Sequence, residues 1–217
     1  MKEICLQTKH LILLGAGGHA KVLLSILVKQ HTVITGVCAL QPPQSAMFAL
    51  IPFLGDDSAV LQYPPEKTLL INGVGALPGS SARRDIFNRF SALGYRFASV
   101  ISSDALIDPH CTLGEGVQIM PGVIINADAN IADNVIINTG AIVEHDCVLE
   151  RHTIVSPGAI LCGGVCCGEN SYIGAGATVI QGLTLGSNTT VAAGSTVVRN
   201  LLDNQKIYGA KSVIKIE

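Results

Sequence analysis

Residues 101–196 repeat every six without a slip, and nothing else in the chain restricts its fold as strongly. Counted from Ile107, the first position reads Ile107, Leu113, Ile119, Ile125, Ile131, Ile137, Val143, Leu149, Val155, Leu161, Cys167, Ile173, Val179, Leu185 and Val191, all apolar. The fifth position, from Cys111 through Val135 and Ala159 to Ser195, is mostly small or β-branched. Gly, Asn and Asp crowd the third and fourth positions, as at Gly116, Asn134, Gly158 and Gly176. A helix needs a period of 3.6 and an ordinary strand a period of two, so neither explains the pattern. A hexapeptide β-helix does: each six is a short strand and a tight turn, and three sixes close one triangular coil. About sixteen hexads then give about five coils.

Composition agrees with a solenoid core. Hydrophobic residues make up 48% of the chain, yet aromatics are only 4% and Trp is absent. The net charge is −2 with no basic run, which argues against a nucleic-acid groove. No apolar stretch reaches the length of a membrane span, and residues 11–14 are too short for a signal-peptide core. The seven cysteines follow no framework. Cys111, Cys147 and Cys167 occupy inward repeat positions, and the Cys162, Cys166 and Cys167 spacing does not match a zinc site, so no metal is expected. This usage points to a reducing cytoplasm.

The first hundred residues follow a different grammar. Strands are expected over 10–14, 32–38, 68–72 and 95–101, and helices over 20–30 and 80–93, with a proline-rich loop over 41–52. Strands alternating with helices imply a parallel sheet. The boundary is expected near 99–104, giving one domain over 1–100 and a second over 101–217. Past Arg199 the repeat decays, and 201–217 reads as a cap or an extended tail.

Two segments carry chemistry. Gly15-Ala16-Gly17-Gly18-His19 lies between the first strand and the first helix. Small residues there let backbone approach a phosphate, and the helix end adds free N–H groups and a positive dipole. The dinucleotide fingerprint is incomplete, because its last position is Ala20. No acid follows the second strand at Cys38. A tight turn without a ligand is the plainer alternative. The second segment holds His145 and Asp146 at the third and fourth positions of their hexad, where side chains face outward. A His beside a carboxylate on a rigid coil can act as a general base near neutral pH, although such a pair is also ordinary surface.

Several stretches together resemble the sugar O- and N-acyltransferase family of hexapeptide-repeat enzymes. They are Gly15-Ala-Gly-Gly-His-Ala-Lys-Val22, Gly94-Tyr-Arg-Phe-Ala-Ser-Val100, Asn138-Thr-Gly-Ala-Ile-Val-Glu-His-Asp-Cys147, Ser156-Pro-Gly-Ala159 and Ile173-Gly-Ala-Gly-Ala177. The resemblance spans essentially the whole chain. It implies an α/β Rossmann-like domain that binds a nucleotide sugar, followed by an all-β left-handed parallel β-helix that forms a homotrimer. It implies acetyl-CoA as co-substrate, lying along the groove between neighbouring coils. Carried over, His145 matches the general base, Asp146 its acidic neighbour and Asn138 an amide that positions the amino sugar. Gly163 matches the oxyanion donor and a CoA contact, and Ala175 and Ala193 match backbone positions along the CoA groove. Gly15, Ala16, Gly17, Gly18, His19 and Lys21 match the pyrophosphate end of the nucleotide-sugar site. Gly73, in Asn72-Gly-Val-Gly-Ala-Leu-Pro-Gly79, is similar to the subgroup acting on GDP- or dTDP-linked 4-amino-4,6-dideoxyhexoses.

The chain departs from the family in three places. Ile154 stands where many members carry a second histidine, and His152 is two residues early, so His152 is given no CoA role. The acids usual after the second strand are missing. The family's C-terminal Gly-x-Pro-Ala-Lys is reduced to Tyr208-Gly-Ala-Lys211. The expected activity is acetyl transfer to the 4-amino group of a nucleotide-linked 4-amino-4,6-dideoxyhexose for bacterial surface glycan such as O-antigen. A sialic acid O-acetyltransferase and a non-catalytic nucleotide-sugar-binding scaffold are the alternatives, and neither base nor sugar stereochemistry is readable.

Overall fold

The computed structural model describes residues 10–209. They form two compact units that divide between Ser103 and Asp104.

The first unit is built on a parallel sheet. Its strands are β1 (His10–Leu14), β2 (Gly36–Cys38), β3 (Phe53–Gly55), β4 (Thr68–Asn72) and β5 (Arg96–Phe97), in the order β3-β2-β1-β4-β5. All four pairings are parallel. The chain runs outward from β1 to β3, then crosses back to place β4 on the other side of β1. The strand order therefore reverses between β1 and β4. Helix α1 (Gly18–Lys29) buries Ala20, Leu23, Leu24, Ile26 and Leu27, the apolar stripe of an amphipathic helix. It starts two residues earlier than the sequence predicts, because Gly17 takes the extended cap conformation. Helix α2 (Ala82–Ala92) buries Arg83, Phe87 and Phe90.

Three strands differ from expectation, and the one expected over 95–101 divides into Arg96–Phe97 and a separate Val100–Ile101. Residues 32–35 are not part of the strand: the Thr35 N–H donates to the Leu11 carbonyl at 2.8 Å, but the Leu11 N–H donates to the Thr35 hydroxyl at 3.0 Å, where a strand would offer a carbonyl. β3 was hidden because three residues after Pro52 carry no readable period. All five phenylalanines of the chain lie in this unit. Phe87 stacks on Phe97 at 4.5 Å, and Phe90 meets Tyr95 edge-on at 5.6 Å. The Tyr95 hydroxyl reaches the Val60 and Tyr63 carbonyls at 3.0 and 2.8 Å, which satisfies its one polar atom.

The second unit is a parallel β-helix with three faces. One face stacks the two-residue strands from Leu106–Ile107 to Thr196–Val197, the second those from Thr112–Leu113 to Thr184–Leu185, and the third those from Gln118–Ile119 to Lys206–Ile207. Up to Thr196–Val197 the pairing offset is eighteen residues, as Ile142 with Ile160 and Val143 with Leu161. First-position residues from Ile119 to Val191 and fifth-position residues such as Val135, Ala141, Val165 and Ala177 fill the interior. Fourth positions turn the corners. Gly116, Gly122, Asp128, Asn134, Gly140, Asp146, His152, Gly158, Gly164, Asn170, Gly176, Gly182, Asn188 and Gly194 all have positive φ. Gly, Asn and Asp recur there because they adopt the left-handed conformation at least cost.

The repeat does not end at Arg199. Lys206–Ile207 pairs with Thr190–Val191, and Leu201 bridges Leu185, so the described part of the expected cap or tail closes a last coil of sixteen residues instead of eighteen. The part of the expected tail beyond 209, with Ala210 and Lys211 of the shortened C-terminal motif, lies outside the described residues. Outward apolar side chains divide by face. Ile124, Ile142 and Ile160 are partly exposed, whereas Ile136, on the face it shares with the buried Gln118 and Ile154, is only 2% exposed. The six described cysteines are free thiols. Burial pushes the Cys147 thiol up to about 11. Among the described residues no helix is long and apolar enough to cross a membrane.

Because first positions are sealed inside the coil, Ile137→Ala should lower unfolding stability by about 2–5 kcal/mol, whereas the exposed Thr184→Ala should change it by less than about 0.5 kcal/mol. Chemical denaturation of the two variants beside the parent checks this.

Candidate functional site

The eighteen-residue offset decides which side chains of the second unit meet. His145 stands at a third position, and the residue one coil further on is Gly163. A Cβ placed on Gly163 would lie 2.5 Å from His145 Nε2 and 2.6 Å from its Cε1. Only glycine leaves room there for the imidazole. The two residues are also joined through backbone, since the Gly164 N–H donates to the His145 carbonyl at 2.8 Å. Among the described residues no acceptor takes the Gly163 N–H.

Asp146 occupies the left-handed corner with φ 59°, and its N–H donates to the Ala127 carbonyl. From there its carboxylate meets His145 Nδ1 at 2.7 Å. With the Nδ1 proton held by the carboxylate, the lone pair is left on Nε2, the atom that faces Gly163. The hydrogen bond to Asp146 raises the His145 pKa above its ordinary value, with its charge and that of Glu144 adding to the effect against some desolvation. The arrangement places a proton acceptor beside a backbone donor, the pairing that acyl transfer uses. The sequence reading gives no role to Glu144. Its carboxylate accepts from Asn126 Nδ2 at 2.7 Å, one residue before His145. The signal for that contact was the same eighteen-residue spacing.

The other second-unit residues fall elsewhere on the prism. Asn138, Ala175 and Ala193 share the corner that precedes the His145 corner in each coil, where the Gly194 N–H donates to the Ala175 carbonyl at 2.9 Å. Asn138 Oδ1 is held by the Thr139 N–H at 2.8 Å. One chain therefore gathers His145, Asp146 and Gly163 at one corner, and Asn138, Ala175 and Ala193 at another. His152 is buried, and its Nδ1 meets Asn134 Nδ2 at 2.9 Å. Ile154 is buried nearby on the same coil.

In the first unit the glycine turn sits at the C-terminal ends of β1 and β4, where the strand order reverses. Crevices of that kind hold ligands in parallel α/β sheets. Gly15 has φ 94°, and a Cβ on it would meet Val74 Cγ2 at 3.2 Å and the Gly73 backbone at 3.3 Å. The Gly73 N–H donates to the Leu14 carbonyl at 2.7 Å, and its Cβ would lie 2.7 Å from that oxygen. His19 is brought against Gly75. Gly17 and Gly18 open onto free space at the start of α1, which has no side-chain cap and no acid in its first turn. Ala16 lies inside the turn, and Lys21 is half-exposed one turn along the helix. Asp56 and Asp57 follow β3 and act electrostatically on the Cys38 thiol, raising its pKa to about 11 together with burial, the larger cause. Acids absent after β2 in sequence thus come near its end from the unexpected β3. Among the described residues no three His, Cys, Asp or Glu side chains gather as a metal site would need.

No family model and no curated protein matches the chain. Solved structures do. A GDP-perosamine N-acetyltransferase from Caulobacter crescentus, in complex with CoA and GDP-perosamine, is 34% identical over 97% of this chain and 99% of its own, with a TM-score of 0.84. The acetyltransferase domain of PglB from Neisseria gonorrhoeae FA1090, in complex with acetyl coenzyme A, is 31% identical over 94% of this chain and 97% of its own, with a TM-score of 0.82. WeeI from Acinetobacter baumannii AYE shares the fold at 21% identity and a TM-score of 0.81 over 93% of this chain and 97% of its own.

Because Asp146 stabilises the protonated imidazole, Asp146→Asn should move the His145 titration to lower pH. The neutral, basic form would then appear earlier as pH rises. NMR titration of the His145 ring in both proteins tests this, and coincident curves would mean that the 2.7 Å contact does not hold the ring in solution.

Proposed function

The chain belongs to the hexapeptide-repeat sugar acyltransferases, and we propose from this membership how its residues divide the work of an acetyl-CoA-dependent N-acetyltransferase acting on a nucleotide-linked 4-amino sugar. The sugar is a 4-amino-4,6-dideoxyhexose, and its product feeds bacterial surface glycan such as O-antigen, made in the cytoplasm. The first unit is a Rossmann-like nucleotide-sugar domain. Gly15, Ala16, Gly17 and Gly18 hold the diphosphate through backbone N–H groups at the start of α1, with His19, Lys21 and Gly73 around it. The second unit is a left-handed β-helix that carries the chemistry.

The observation that carries this reading is the seat of His145 Nε2 against Gly163, whose N–H meets no acceptor among the described residues. Acetyl-CoA supplies the acyl group. His145 takes the proton that the sugar nitrogen sheds as it attacks the thioester carbonyl, and Asp146 holds the ring and stabilises its charged form. The Gly163 N–H donates to the oxygen on which negative charge develops. Ala175 and Ala193 offer backbone to CoA, and Asn138 positions the amino sugar.

The separation of the two residue sets supports a homotrimer. His145 and Gly163 stand at one corner, and Asn138, Ala175 and Ala193 at another. A site that uses both sets is completed by bringing the second corner from a neighbouring copy. The column of exposed Leu106 and partly exposed Ile124, Ile142 and Ile160 gives such a copy an apolar face to cover.

His145→Ala should lower kcat by at least about 10²-fold with the fold intact and both KM values little changed. Steady-state kinetics across pH 6 to 9 provides the check, and near-parental kcat throughout would remove His145 as the base. Light scattering at micromolar concentration should report a trimer, and a stable monomer would refute the shared site.

A further inference from the structure

Among the described residues of the first unit, Arg83 is the one buried cation that neither the sequence motifs nor the proposed chemistry uses. It lies in the first turn of α2 and is only 3% exposed. Its Nη1 donates to the Asn72 carbonyl at 2.9 Å and to the Val74 carbonyl at 3.0 Å. Asn72 returns the contact, its Nδ2 donating to the Arg83 carbonyl at 2.9 Å, and its Oδ1 accepts from the Val74 N–H at 3.3 Å. This clasp grips the segment that walls the glycine turn, since Val74 and Gly73 abut Gly15 and Gly75 abuts His19.

The guanidinium is otherwise unmatched. Nε and Nη2 are buried without a hydrogen-bond acceptor, and among the described residues no carboxylate pairs with it. The pull of desolvation lowers its pKa to about 9, which leaves it cationic at neutral pH. A lone buried charge is expensive, and a carboxylate or a well-packed apolar residue would be the usual remedy. Neither is present among the described residues, and the charge lies against the Asn72 and Val74 carbonyls of the segment that abuts Gly15.

We propose that Arg83 is a charged positioning residue for the diphosphate of the nucleotide sugar: it fixes the 72–75 wall of the glycine turn and holds beneath it a positive charge that the ligand's diphosphate completes. This rests on the glycine turn being the nucleotide site. Arg83 acts through the wall it holds and through its field, not by touching reacting atoms.

The test uses the full chain and calorimetric titration with UDP, dTDP and GDP, each beside its monophosphate, against the parent, Arg83→Gln, Arg83→Lys and Gly17→Val. Arg83→Gln keeps a donor but loses the charge, and Arg83→Lys keeps the charge but loses the fork. Arg83→Gln should weaken the preferred diphosphate at least about tenfold and its monophosphate clearly less. Arg83→Lys should recover most of that loss, and KM for acetyl-CoA should not move in either. The proposal is overturned if Arg83→Gln binds diphosphate like the parent. It is equally overturned if Arg83→Lys is no better than Arg83→Gln, if both nucleotides weaken alike, or if neither variant folds. The underlying reading fails separately, and takes the proposal with it, if Gly17→Val leaves diphosphate binding untouched.

Discussion

Everything in the second unit depends on one pairing rule: each strand residue lies beside the one eighteen residues along the chain. Ile142 pairs with Ile160 and Ile160 with Thr178, so three hexads must close one coil without drift. That closure needs a sharp corner in every hexad. The corner needs a left-handed residue, which is why the fourth positions from Gly116 to Gly194 are restricted to Gly, Asn, Asp and a single His. Parallel strands of two residues would not hold alone. They hold because each is buried on its inner side by a column of Ile, Val and Leu that runs the length of the prism.

The same rule builds the corner that holds His145 and Gly163. A side chain at a third position lies over the residue eighteen further on, so His145 requires glycine at 163 if its ring is to lie against the coil. Asp146 is there first because the corner wants a residue that tolerates φ near +60°. Its carboxylate then meets the neighbouring imidazole with no further ordering of the chain. The structural demand and the chemical one fall on the same residue, which is how an exposed pair acquires a fixed geometry without burial.

The first unit solves a different problem. It leaves a helix start open and uncapped beside three glycines, and keeps acids out of the first turn. On the segment that walls the turn it keeps an arginine with no carboxylate partner among the described residues. A protein selected only for stability would cap the helix and pair the charge. Both omissions favour an incoming anion.

The six-residue period determined the β-helix by itself, because a strict repeat leaves each side chain a single direction to face. It also determined the glycine turn and the His145-Asp146 pair, which are local along the chain. Its grasp failed where partners are distant or signals short. β3 is three residues long, and the final coil lost two residues, so neither shows a period. The gathering of Asn138 with Ala175 and Ala193 at a corner apart from His145 follows from which face each hexad forms, which residue types do not reveal. The burial of Ile136 beside exposed Ile142, and the clasp between Arg83 and Asn72, were decided only by tertiary structure. Sequence shows a side chain's polarity and period; burial and partnership depend on what the rest of the chain brings against it.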